Sequence, residues 1–166
     1  MSIEHQARRI LERAKARDLT IVTAESCTAG AVATTLSKAP SAGEYLHGGF
    51  VTYTKQMKSA VLGVSMKLLT QKGAVCAEVA EEMAIGALTR SPADIAIAVT
   101  GVAGPEPDED GNPVGLVFCS AIGLERKTMT VRHFFEGLSR EGTIKATVEE
   151  TLTRLEQFAN SDENKK

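Results

Sequence analysis

The chain has 166 residues, 43% of them hydrophobic, and its 19 basic and 21 acidic residues leave a formal net charge of −2. This length suits one domain with a substantial core, the near-neutral charge removes the electrostatic case for nucleic acid or an anionic membrane as partner, and no apolar run approaches the roughly 18 residues that span a bilayer. The charged amino terminus lacks the apolar core of a secretion signal, and Cys27, Cys76 and Cys119 are widely spaced with no Cys-x-x-Cys pair, so the sequence reads as cytoplasmic, with reduced thiols and neither a disulfide framework nor a structural zinc site.

In chain order, Ile3, Ala7, Ile10, Leu11 and Ala14 trace one helical face up to Arg17. A β-branched stretch around Thr20 to Thr23 reads as a strand ending near Ala24, and Ala29, Val32, Ala33 and Leu36 predict a helix to about Lys38. Pro40, Gly43, Gly48 and Gly49 punctuate a loop before a second strand, Phe50 to Thr54. Lys55 to Leu62 reads as a short helix ended by Gly63, and a further short helix capped by Ser65 stops at Gly73. A longer helix runs from Cys76 to about Arg90, and Asp94 to Val99 predicts a fully buried strand. Gly115 to Ile122 and Lys127 to Phe135 form a hairpin, and Ile144, Val148, Leu152, Leu155 and Phe158 mark a last helix. This alternation predicts a three-layer α/β/α sandwich with a mixed, mostly parallel sheet, a single domain over residues 1–159, and a polar disordered tail over 160–166.

The join between the first strand and the second helix falls at Glu25-Ser26-Cys27-Thr28-Ala29-Gly30. Unpaired N–H groups and the positive end of a helix dipole favour an anion there: a phosphate, a carboxylate or the oxyanion formed when a hydroxyl attacks a carbonyl. Ser26 is placed to be a nucleophile, and Ser26 or Thr28 can equally serve as a plain helix cap. Cys27 is a rival nucleophile, against the commoner role of a small half-buried thiol. After the buried strand, Thr100-Gly101-Val102-Ala103-Gly104-Pro105 looks like a second anion cradle, facing the same crevice if the two strands are neighbours. The acidic stretch Glu106 to Asn112 cannot be an EF-hand loop, since counting from Asp108 puts Pro113 at the glycine position and Cys119 at the bidentate glutamate position; it reads as a mobile acidic rim or lid. None of His5, His47 and His133 falls in an obvious triad, so Lys58 and Tyr53 are the preferred partners for the serine, although a lone lysine in a helix is more commonly a solvated surface charge, and Arg140 is a phosphate ligand or a surface residue.

Taken together, Glu25-Ser26-Cys27-Thr28-Ala29-Gly30, Val51-Thr52-Tyr53 with Lys58, Gly73-Ala74-Val75, Thr100 to Pro105, Pro113-Val114-Gly115 and Phe135-Glu136-Gly137 with Arg140 resemble the CinA carboxy-terminal domain family over residues 5–158. The resemblance implies the same α/β/α fold and a stand-alone nicotinamide mononucleotide deamidase, which releases ammonia and nicotinate mononucleotide in pyridine nucleotide recycling. It implies Ser26 as nucleophile, Lys58 as base with Tyr53 assisting, and an oxyanion site at the helix start near Thr28 and Gly30. Thr100, Gly101, Ala103, Gly104 and Arg140 would hold the nucleotide phosphate. It implies no metal, no other cofactor, a small-molecule nucleotide as the partner, and is compatible with a homodimer. Two departures stand: Cys76-Ala77 where the family has serine and often glutamate, and one extra residue between Gly137 and Arg140. The alternatives are a non-catalytic nucleotide-binding or protein-interaction module of the competence/damage-inducible type, and an amidase acting on a different small amide.

Overall fold

The computed structural model describes residues 2–161. Its elements are α1 (Ile3–Ala16), β1 (Ile21–Glu25), α2 (Ala31–Ser37), α3 (Ala42–Tyr45), β2 (Leu46–Val51), α4 (Lys55–Leu62), α5 (Met66–Lys72), α6 (Ala77–Thr89), β3 (Ile95–Gly101), β4 (Leu116–Ile122), β5 (Thr128–Phe134) and α7 (Arg140–Asn160). One sheet runs in the order β2-β1-β3-β4-β5, parallel from β2 to β3 and antiparallel on both sides of β4, so β4 alone is reversed. The mixed sheet expected from the sequence is therefore present, with two of its four ladders antiparallel.

Side-chain alternation along the central strands divides the core. Ile21, Ile95 and Ile97 pack with α1, α2 and α7 on one face, while Val22, Ala24, Ala96 and Ala98 pack with α4, α5 and α6 on the other. Being covered on both sides, β1 is buried at every position, which is why it reads as a continuous run rather than an alternation. The α1 and α7 helices are tied by a two-pronged Arg9–Glu156 ion pair, and Arg17 closes the end of α7 by donating to the carbonyls of Ala159, Asn160 and Ser161.

The structure departs from the sequence expectation at several boundaries: the stretch read as a loop holds the short helix α3, and the second strand ends at Val51, three residues short of Thr54. The second strand begins at Leu46 and takes in Gly48 and Gly49, because Gly49 pairs with Thr23 where a Cβ would sit 2.3 Å from the Thr23 hydroxyl. The third strand continues through Thr100 and Gly101, which pair with Phe118 and Val117. Asn160 is the last residue of α7 rather than the start of a tail; the rest of that expected tail, 162–166, lies outside the described residues.

Candidate active site

β1 has neighbours β2 and β3, and the crossover helices that follow β1 and precede β3 lie on opposite faces, so a crevice opens at the carboxyl ends of β1 and β3. A cleft of about 430 Å³ occupies it. Ser26, Tyr53, Lys58, Thr100, Gly101, Ala103, Gly104 and Arg140 all line it; Thr28 and Gly30 do not.

Ser26 directly follows β1, and its N–H continues the β1–β3 ladder by donating to the Val99 carbonyl at 3.1 Å. The Thr52 N–H does the same on the other side, donating to Glu25 O at 2.9 Å. Thr54 then caps α4 by accepting from the Met57 N–H, and Gly63, at φ 72, ends it with the Val64 N–H returning to Lys58 O. This helix carries Lys58 inward. Its Nζ lies 2.8 Å from Ser26 Oγ, 2.8 Å from Thr52 O and 3.5 Å from Tyr53 O. Lys58 is 1% exposed and Ser26 is 7% exposed. Burial lowers the Lys58 ammonium from its ordinary value to about 8. A neutral amine in this position gives its two protons to the Thr52 and Tyr53 carbonyls, which turns its lone pair toward the Ser26 hydroxyl.

Cys27 also lines the cleft, but it is buried in a small apolar cluster with Val99, Ala103, Val117 and Cys119. Burial, reinforced by Cys119, pushes its thiol up to about 12, so it stays protonated and is a poor nucleophile. Tyr53 is half exposed, and its hydroxyl accepts from Arg140 at 2.8 Å. It meets Lys58 only through its backbone carbonyl. Arg140, at the first turn of α7, also donates to Gly104 O, so despite the longer spacing from Gly137 it bridges the two sides of the cleft mouth. The Thr100 hydroxyl donates to Ala74 O at 2.8 Å, fixing the turn before α6 against the end of β3. Cys76 is the N-cap of α6 and makes no side-chain capping bond.

Thr28 and Gly30 serve an acceptor from the chain itself. The buried Glu25 carboxylate accepts from the Thr23 and Thr28 hydroxyls and from the N–H groups of Gly30, Val32 and Ala33. The anion attracted to the start of α2 is thus internal, which the sequence reading missed. The signal was a carboxylate at a strand end just ahead of a helix start. In the same turn, the Cys27 and Thr28 N–H groups have no acceptor among the described residues. The acidic stretch forms the rim of the cleft and is tethered: Lys55 pairs with Glu109 at 3.0 Å and with Asp110 at 2.7 Å, and Asp110 also accepts from the Ala74 N–H. Among the described residues, no group of His, Cys, Asp or Glu is arranged to hold a metal ion, and no helix is long and apolar enough to cross a membrane.

A three-layer α/β/α domain with a buried serine–lysine hydrogen bond at the sheet's switch point is the class that fold and site define. The chain belongs to the CinA C-terminal domain family, whose model matches residues 3–159. It is 38% identical to the nicotinamide-nucleotide amidohydrolase PncC of Escherichia coli K12 over 144 residues, 87% of each chain. It is 40% identical to a putative competence-damage inducible protein of Halothermothrix orenii over 121 residues, a match that spans 73% of this chain and 29% of that longer protein. Among solved structures, the competence/damage inducible protein CihA of Agrobacterium tumefaciens is similar at 37% identity and a TM-score of 0.91, covering 97% of this chain and 100% of that one.

Proposed function

We propose that the protein is an amidohydrolase that removes ammonia from the carboxamide of nicotinamide mononucleotide. The observation that carries this reading is the buried Lys58 Nζ at 2.8 Å from Ser26 Oγ, an activated-nucleophile arrangement in a cleft that also holds Arg140. The likeness to the E. coli amidohydrolase over most of both chains supports the choice of substrate.

In this reading neutral Lys58 takes the Ser26 proton as Oγ bonds to the carboxamide carbon. The oxyanion so formed is met by the N–H of Cys27, which lines the cleft beside Ser26, rather than by the first turn of α2. Collapse breaks the C–N bond, and the Lys58 ammonium returns its proton to the departing nitrogen, which leaves as ammonia. Water, deprotonated by Lys58, then attacks the acyl ester; the C–Oγ bond breaks, Lys58 returns the proton to Ser26 Oγ, and the acid released ionises to the carboxylate. Arg140, with the Ala103 and Gly104 N–H groups, holds the phosphate and so fixes the amide relative to Ser26. Tyr53 orients Arg140. Ammonia release from nicotinamide mononucleotide, its riboside and nicotinamide tests the assignment: release confined to the mononucleotide is the expected outcome, and saturable binding of all three without release would instead favour a binding module.

A further inference from the structure

Glu25 is 1% exposed, yet it takes no part in the chemistry described above. A buried carboxylate is costly unless its lone pairs are filled, and here five donors fill them. One oxygen accepts from Thr23 Oγ1 at 3.2 Å and Ala33 N at 2.8 Å. The other accepts from Thr28 Oγ1 at 2.6 Å, Gly30 N at 3.0 Å and Val32 N at 3.1 Å. These donors lie before and after Ser26, so the carboxylate closes the whole segment into a ring with the serine on it. That segment is also strained, since Ala29 sits at φ 48 in the left-handed region that disfavours a side chain.

We infer that Glu25 is a positioning residue for the nucleophile: its carboxylate holds the strained turn so that Ser26 Oγ meets Lys58 Nζ. The inference rests on the reading of Ser26 as nucleophile and deepens it. Gln is the same size but carries one acceptor and one N–H₂ donor, so in either orientation it sets N–H against N–H at one side of the ring. Its turn should shift, while Arg140 and Thr100, on other elements, stay in place.

The test is the rate at which a fluorophosphonate labels Ser26, together with ammonia release, in the wild-type protein and in Glu25→Gln. Displacing the hydroxyl from its base by an ångström should slow labelling and kcat by about 100-fold, with KM changed by less than about threefold. The rise of the labelling rate with pH, which reports proton transfer to Lys58, should flatten, an effect that simple loss of stability does not produce. If Glu25→Gln does not fold, Thr28→Val carries the test: it removes one of the five bonds and should slow labelling by about tenfold, with Thr28→Ser recovering most of the loss. Folded Glu25→Gln labelled at the wild-type rate with the wild-type pH profile would overturn the inference while leaving Ser26 as nucleophile. A wild-type Ser26 that is never labelled would overturn both.

Discussion

Replacing Lys58 by Met tests the buried amine through stability as well as rate. Burial lowers the ammonium from 10.5 to about 8 in the folded protein, a difference equivalent to about 3 kcal/mol. Because the folded value is the lower one, the unfolded chain holds more protons between those two values, and stability rises with pH across that window. Below about pH 8 the full cost of burying the charge is present; above about 10.5 it is gone. Met has similar volume and no charge. The stability of the wild-type protein minus that of Lys58→Met should therefore be flat below about pH 8 and climb in favour of the wild type by up to about 3 kcal/mol toward pH 10.5. Urea unfolding of both proteins at matched pH reads this difference directly, and effects common to both, such as titration of surface lysines, cancel. A difference that stays constant across the window would refute the picture of a charge held out of water. Under the proposed mechanism the same group sets the rate: wild-type kcat/KM should rise with an apparent pKa near 8, and Lys58→Met should lose about 10²- to 10⁴-fold with no such rise.

Arg140→Ala removes the cation at the cleft mouth and should raise KM for the mononucleotide by about 10- to 100-fold with a smaller effect on kcat, as expected for loss of a charge-assisted bond; an unchanged KM would place the phosphate elsewhere. Tyr53→Phe loses only the bond that orients Arg140 and should raise KM by about three- to tenfold; a fall in kcat as large as that of Lys58→Met would instead put Tyr53 in proton transfer. Gly86→Ala would bring a Cβ to 2.0 Å from Leu62 O, where α6 packs against the helix that carries Lys58. Overpacking against backbone should cost about 2 kcal/mol despite the better helix propensity of Ala, visible as a lowered Tm; an unchanged Tm would mean that the two helices are not in close contact.

What could be read from the sequence follows the range of the interactions. The bounds of α4 were legible because they are written locally, its end in Gly63, which is left-handed in the structure, whereas Thr54, read as the last strand residue, proves to be its cap. The buried strand β3 and the hairpin of β4 and β5 were legible for the same reason. Gly48 and Gly49 looked like loop residues, because what makes them strand is Thr23, distant in sequence, leaving no room for a side chain at Gly49. The apolar stripe of α7 was visible, but Thr143, Thr147 and Thr151, equally buried, were not, since their polarity hides a face on which Thr147 and Thr151 bond back to the preceding turn of the helix. At the site, Ser26 was in view from its place at a strand end and Lys58 and Arg140 from the family resemblance, and all three line the cleft, whereas the Thr52 and Tyr53 carbonyls beside Lys58 carry no sequence signal at all. Glu25 was in view but unread, because a helix start suggests an external anion as readily as one from the chain itself.

The most direct measurement is ammonia release from nicotinamide mononucleotide by Ser26→Ala beside the wild-type protein, with binding of the mononucleotide to each followed by calorimetry. The expected result is release by the wild type, none above background by the variant, and Kd values within about threefold of each other, since the phosphate contacts are untouched. Release by Ser26→Ala at the wild-type rate would contradict a covalent role for Ser26 and would leave Lys58 activating water in its place.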